Sequence, residues 1–282
     1  MKNKLFTAIA LFAIVLIFAN CKGVSKEEEA MPSDSVALNT MKLSDTVSFK
    51  LNQGGKCDIL ANATIAYPNK YKDKSTTEKL QKLFATVVLE AGDSVSFKDA
   101  LKEYPNVILN QYGPTNDISQ VSDYEDDDEN SDNDKYNSSV NISVIYNKND
   151  IITFCKEEVK MKNGEVAMKT HSYYNFDLQN IALIDLSNMF KETSLNDICQ
   201  LLKNQLLAQN NVKTEDELND LGYYNLDNLT VSNNFYFTDD AVIWCYSPLE
   251  VAVSALGEPK ISLDYDTLNP YFSDNSILNR FD

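Results

Sequence analysis

Asn234-Phe235-Tyr236-Phe237, a turn at Asp239-Asp240, and Ala241-Val242-Ile243-Trp244-Cys245-Tyr246 read as a β-hairpin, because two aromatic, β-branched runs flank a short acidic turn. The segment that follows, Ser247-Pro248-Leu249-Glu250-Val251-Ala252-Val253-Ser254-Ala255-Leu256-Gly257, opens on proline and closes on glycine. That pattern predicts one or two helical turns. Ile261, Leu263 and Tyr265 then alternate as in a third strand with one buried face. Strand, turn, strand, short helix and strand define an α+β core, with antiparallel sheets (hairpin and meander) packed against several short helices.

Working upstream, Thr214-Glu215-Asp216-Glu217 opens a short helix ending at Gly222, and Ser194-Leu195-Asn196-Asp197 caps a longer one. In the longer helix Leu195, Ile198, Leu202 and Leu206 form the buried stripe. Ile181 to Phe190 leads into it through a further short helix. Before these come three strands of a meander, Ser139–Tyr146, Ile151–Met161 and Glu165–Leu178, with turns at Asn147-Lys148-Asn149-Asp150 and Lys162-Asn163-Gly164. A first hairpin pairs Val47–Leu51 with Cys57–Tyr67 and stops at Pro68. Ser75-Thr76-Thr77-Glu78 caps a helix that buries Leu80, Leu83, Phe84, Val87 and Val88 and ends toward Gly92. A second, starting at Ser96, stops at Pro105.

The N-terminus reads as an address. Lys2 and Lys4 precede an apolar run from Leu5 to Ala19 that only Thr7 interrupts, and Asn20-Cys21 follows. The run is short for a membrane span and fits an export signal. A cysteine directly after it predicts a lipoprotein, with a diacylated Cys21 (palmitate, for example) as the new N-terminus; an ordinary signal cleaved nearby is the alternative. Two or more acyl chains hold a protein to a membrane, at about 0.8 kcal/mol per buried CH₂. The expected organisation is a leader over 1–20, a flexible tether over 21–45, an N-terminal α+β domain over 46–180 and a C-terminal α+β domain over 181–282. Lys26-Glu27-Glu28-Glu29 behind Cys21 resembles the tag that sends lipoproteins to the outer face of diderm bacteria. The expected location is therefore the outer membrane, periplasmic or surface-exposed.

The formal charge is −17, and loss of Lys2 and Lys4 with the leader takes it to −19. Such a surface excludes nucleic acid and favours cationic partners or divalent cations. Residues 113–136 form an acidic loop in which Asp128, Asn130, Asp132 and Asp134 alternate as oxygen ligands do around Ca²⁺. The loop lacks the central glycine and closing glutamate of an EF-hand, and a solvated charge run is the alternative. Cys57, Cys155, Cys199 and Cys245 lie far apart, without zinc spacing; disulfides and buried thiols are both open.

Catalytic chemistry finds little material. The single histidine, His171, sits in a predicted strand, and no GxSxG, HExxH, SxxK or phosphate-cradling loop occurs. Eight glycines leave little for nucleotide binding. No enzyme is expected; a carboxylate-dependent peptidoglycan-modifying hydrolase and a structural subunit of an envelope complex are the alternatives. Trp244, Tyr246 and Tyr236 form either an aromatic platform for a ligand or part of the core. Glu250, beside Pro248, is the one charge from Pro248 to Gly257: a ligand contact, or a cap.

Tyr174-Asn175-Phe176-Asp177-Leu178, Leu183-Ile184-Asp185-Leu186, Asn234-Phe235-Tyr236-Phe237 and Tyr246-Ser247-Pro248-Leu249-Glu250-Val251-Ala252 through Gly257 together resemble the RsiV-like C-terminal domain family. These exported bacterial modules occur in a lysozyme-sensing anti-sigma factor and beside the catalytic domain of a peptidoglycan deacetylase. Residues 165–272 carry most of the resemblance. It implies an envelope binding module for a cell-wall glycan or a cationic protein such as a lysozyme, with Trp244, Tyr246, Pro248 and Glu250 as candidate contacts. The chain departs from the family at Cys155-Lys156-Glu157-Glu158-Val159, where a glycine-rich turn with histidine is common. It departs again at Ala252-Val253-Ser254-Ala255, where Ala-Pro-Tyr-Ala is common. Lysozyme binding does not carry over with the resemblance, nor does anti-sigma activity, since four residues ahead of the apolar run leave no cytoplasmic domain.

Overall fold

Alternation of apolar and polar residues along Ile59, Ala61, Ala63 and Ile65 makes β2 (Lys56–Lys70) a strand with one buried face. It pairs antiparallel with β1 (Ala37–Lys50) as the expected hairpin. The computed structural model describes residues 35–50, 56–110 and 135–281. The lipidation candidate Cys21 and the calcium candidates Asp128, Asn130, Asp132 and Asp134 lie outside the described residues, as does the Cys57 side chain.

β3 (Lys135–Lys148), β4 (Ile151–Lys162) and β5 (Glu165–Asp177) follow as the expected meander. Their turns use left-handed backbone where the sequence places it, at Asn149 (φ 57°), Asp150 (φ 53°), Asn163 (φ 51°) and Gly164 (φ 89°). With the two-residue β6 (Ala182–Leu183) they complete a six-stranded sheet in the order β1-β2-β3-β4-β5-β6. The β2–β3 pairing is parallel, so the sheet is mixed. Helices α1 (Lys74–Val87) and α2 (Phe97–Asn110) cover one face, meeting it through Leu80, Phe84, Leu101, Tyr104 and Ile108. Phe84 packs edge-on against Phe154, centroids 4.8 Å apart.

A second core lies between α3 (Leu195–Gln209) and a three-stranded antiparallel sheet of β7 (Phe235–Phe237), β8 (Ala241–Cys245) and β9 (Lys260–Asp264). Ile198, Leu202 and Leu206 of α3 meet Phe235, Trp244 and Ile261 there. α4 (Glu215–Asp220) and α5 (Tyr265–Leu268) flank this layer. The fold is α+β.

Side-chain amides stitch the two sheets together. Asn234 Nδ2 donates to the His171 carbonyl (3.0 Å) and Asn234 Oδ1 accepts from the Tyr173 N–H (2.9 Å), continuing the ladder from β5 to β7. Asn175 Nδ2 donates to the Phe235 carbonyl (2.7 Å), while its Oδ1 accepts from Thr153 Oγ1 (2.7 Å). At the far end Arg280 donates to Asp177 (2.8 Å), closing the C-terminus on the end of β5.

Several sequence expectations are corrected. The stretch read as tether to residue 45 is strand from Ala37, because Leu38, Met41 and Leu43 pack against the first core among polar neighbours. Pro68 lies inside β2, beyond the Asp58–Ile65 segment that pairs with β3, so its missing N–H breaks no ladder there. α2 continues through Pro105 to Asn110, since Ile108 and Leu109 extend its buried stripe. Asp73, not Ser75, caps α1 by accepting from the Thr76 N–H (2.9 Å). Glu90 (φ 57°), not Gly92, takes the left-handed position after α1. The Ser194 side chain makes no capping bond to α3. Between Pro248 and Gly257 the helix reduces to a turn and one 3₁₀ turn over Ser254–Leu256.

Candidate functional site

The α4–β7 and β8–β9 connections meet side by side. Gly222 permits it, with φ at 100° and no Cβ; a Cβ there would stand 2.8 Å from Val253 Cγ2. Val253 N donates to the Gly222 carbonyl (2.9 Å), Tyr224 N donates to the Val251 carbonyl (2.9 Å), and Tyr223 and Ala252 form a β-bridge. The Tyr224 hydroxyl donates to the Leu249 carbonyl. Below the surface Val251 and Ala252 are buried, which fixes the loops to the second core.

On these loops Leu249 is 63% exposed, Leu221 47%, Val253 41% and Leu256 41%. They are half of the eight large apolar side chains exposed among the described residues, gathered on two adjoining loops. Leu249 also has a φ of 66°, an unfavourable backbone for a branched side chain. The segment that carries them has charge of one sign: from Thr214 to Pro259 there are nine Asp and Glu and no Lys or Arg. Exposed apolar patches of this kind are uncommon on protein surfaces and mark candidate interaction sites.

A polar cluster lies nearby, between the sheets. His171 Nε2 faces Glu157 Oε2 at 3.1 Å and Nδ1 faces Glu258 Oε2, while the His171 N–H donates to Glu258 Oε1 (2.7 Å). Lys169 Nζ lies 2.7 Å from Glu157, and its hydrogen bond, with the histidine's, holds that carboxyl below the usual range against the opposing effect of burial. Lys260 Nζ lies 3.2 Å from the Tyr173 hydroxyl and over the Tyr236 ring. Buried Cys155 and Cys245 pack around Tyr173. Burial raises both thiols, Cys245 to about 11, against the opposing pull of Lys260. Each histidine nitrogen has its own carboxylate on a different element, so the cluster is a brace between β4, β5 and the turn ahead of β9. Among the described residues no group of three or more His, Cys, Asp or Glu is arranged to hold a metal.

Lys156 illustrates the same logic in the first core. Its side chain is 4% exposed, and its ammonium lies 2.8 Å from Glu90 Oε1. Burial works against the charged form, but Tyr104 and Glu90 more than offset it and hold the lysine protonated.

The residues picked from sequence separate here. Trp244 and Tyr246 are fully buried and present no face to a ligand; Tyr246 donates to the Thr230 carbonyl (2.9 Å) from within the core. The Trp244 Nε1 proton has no hydrogen-bond partner among the described residues. Pro248 and Glu250 do lie at the apolar face. Glu250 Oε2 accepts from the Ser247 N–H (2.8 Å), tying the turn that displays Leu249. Leu221, Tyr224, Leu249, Val253 and Leu256 were not singled out, because an Ala- and Val-rich run reads as core when its partner loop is unknown. Cys155, Cys199 and Cys245 are free thiols, and Cys199 donates to the Leu229 carbonyl (2.7 Å).

Two sheets joined at a β5–β7 seam, with an apolar loop face on the smaller one, define the class: an α+β protein with a smaller C-terminal sheet domain. Residues 187–266 match the family described as Protein of unknown function (DUF3298), and the chain carries that domain, which is the same domain family as the RsiV-like C-terminal domain. Among solved structures, a DUF3298 family member from Bacteroides fragilis has a TM-score of 0.66 at 20% identity, covering 88% of this chain and 98% of that one. A DUF3298 family protein from Pseudomonas aeruginosa has a TM-score of 0.52 at 13% identity, covering 86% of this chain and 97% of that one. At these identities the likeness is one of fold. No curated protein matches the chain.

Proposed function

We propose that this chain is a non-enzymatic, lipid-anchored cell-envelope protein that captures a cationic protein, such as a lysozyme, on the loop face of its C-terminal domain. The observation that carries this reading is the placing of Leu221, Leu249, Val253 and Leu256 on adjoining loops within a segment that has carboxylates and no basic residue. Apolar contacts at the centre supply affinity, and the carboxylates around them supply attraction at a distance and reject acidic competitors. Acyl chains on Cys21 and the acidic residues behind it place the module at the outer membrane. No helix among the described residues is long and apolar enough to cross a membrane. The catalytic inventory supports a binder: the histidine is engaged on both nitrogens and the buried thiols are held protonated.

The test is interferometry of the full-length protein in detergent against hen lysozyme and cytochrome c. A basic protein should bind at low salt and weaken as salt rises. The double substitution Leu249→Ser, Val253→Ser, which keeps every charge, should cost about tenfold or more in affinity. Equal binding by the double variant would show simple charge attraction and refute the docking face.

A further inference from the structure

We infer that a second site, away from the loop face, takes a neutral, hydroxyl-rich ligand: an oligosaccharide. A cleft of about 390 Å³ opens where the β5–β6 turn meets the C-terminal 274–280 segment. That volume lies within the range of small-molecule sites, about 300–1,000 Å³. Its walls are built from both ends of the domain. Ser276 Oγ donates to the Met189 carbonyl (2.7 Å) and Ser273 N donates to the same carbonyl (3.1 Å), which fixes the C-terminal wall. The other wall turns at Ile181, whose φ of 51° is rare for a β-branched residue. Backbone held in such a state collects at ligand sites.

The lining chemistry selects the ligand. At the floor Asp177 is neutralised by Arg280 at 2.8 Å and also accepts from the Gln179 N–H (2.9 Å) and Asn180 Nδ2 (2.6 Å), so neither charge calls for an ionic ligand. Asp274, Asn275 and Asn279 are exposed on the rim and make no side-chain hydrogen bond among the described residues. A carboxylate beside carboxamides offers donors and acceptors at close spacing, as vicinal hydroxyls require. Opposite them Leu183, 43% exposed, gives an apolar surface for the C–H face of a sugar ring. A phosphate or carboxylate ligand would meet Asp274 with Arg280 already paired. A hydrophobic ligand would desolvate three polar side chains without replacing their bonds.

Saturation-transfer difference NMR on the full-length protein tests this, with N-acetylglucosamine tetramer and cellotetraose as probes. Saturable transfer to the ring protons of at least one probe is expected, weakened about fivefold by Asn279→Ala or Asp274→Ala, the equivalent of one lost hydrogen bond. Leu249→Ser, outside the cleft lining, should leave it unchanged. Both substituted side chains are at the surface, and circular dichroism confirms that the variants are folded. No transfer to either probe, or transfer that both rim variants leave intact, overturns the proposal.

Discussion

Asn175 and Asn234 show how single side chains decide the arrangement of the two sheets. Each belongs to a motif that carries the family resemblance and uses both ends of its carboxamide: Asn234 ties β7 to β5 twice, and Asn175 on β5 reaches Phe235 on β7 and Thr153 on β4. Replacing Asn234 by Ala strands the Tyr173 N–H and the His171 carbonyl. The expected cost is about 1–3 kcal/mol, read as a lower urea midpoint. Trp244, the only tryptophan, reports that transition because it is fully buried. An Asn234→Ala protein with an unchanged midpoint would mean that the seam holds without its amide. The aromatic residues of the same motifs were legible as a choice between platform and core. Burial decides for core, and no local pattern separates the two when strand aromatics alternate in the same way.

Elements were legible wherever periodicity or turn chemistry is local. The β3–β5 meander lies close to its expected bounds because Asn-Asp and Asn-Gly supply the left-handed turns. Thr214 with Glu217 forms the expected capping box of α4. Some caps failed by a few residues, as where Asp73 rather than Ser75 caps α1, but the larger failures were governed by distant partners. The parallel β2–β3 pairing leaves no trace in either strand, and α2 outruns Pro105 because tertiary burial of Ile108 outweighs one lost backbone bond. The loop face belongs to this second kind: it exists only where the 221–224 and 247–256 connections touch, and neither announces the other. Gly222 is its hinge. Gly222→Ala places a methyl against Val253 at a φ of 100°. It should destabilise by about 1–3 kcal/mol through strain, and should also weaken docking by displacing Val253. Measuring both thermal midpoint and partner affinity checks this; an Ala variant with affinity intact would show that Val253 is not part of the docking surface.

For the whole molecule, the C-terminus is closed by the Arg280–Asp177 pair. Burial tends to raise the Asp177 carboxyl, but Arg280, Asn180 and the Gln179 N–H prevail and hold it below the usual range. Its folded pKa therefore lies under its unfolded one. The stabilisation is complete above the ordinary aspartate value of about 3.9 and is lost as pH falls through the depressed folded value. Asp177→Asn should lower stability at neutral pH by about 1.5–3 kcal/mol and flatten the acid limb of the stability curve. Parallel curves for the two proteins down to pH 2 would contradict that assignment.

The acidic composition and the loop face combine into one proposal, that a basic protein is held on the C-terminal loops. Hydrogen–deuterium exchange with and without a bound basic protein reads it directly. New protection confined to residues 221–224 and 247–256 is the predicted result, whereas protection elsewhere with these loops unchanged would contradict it.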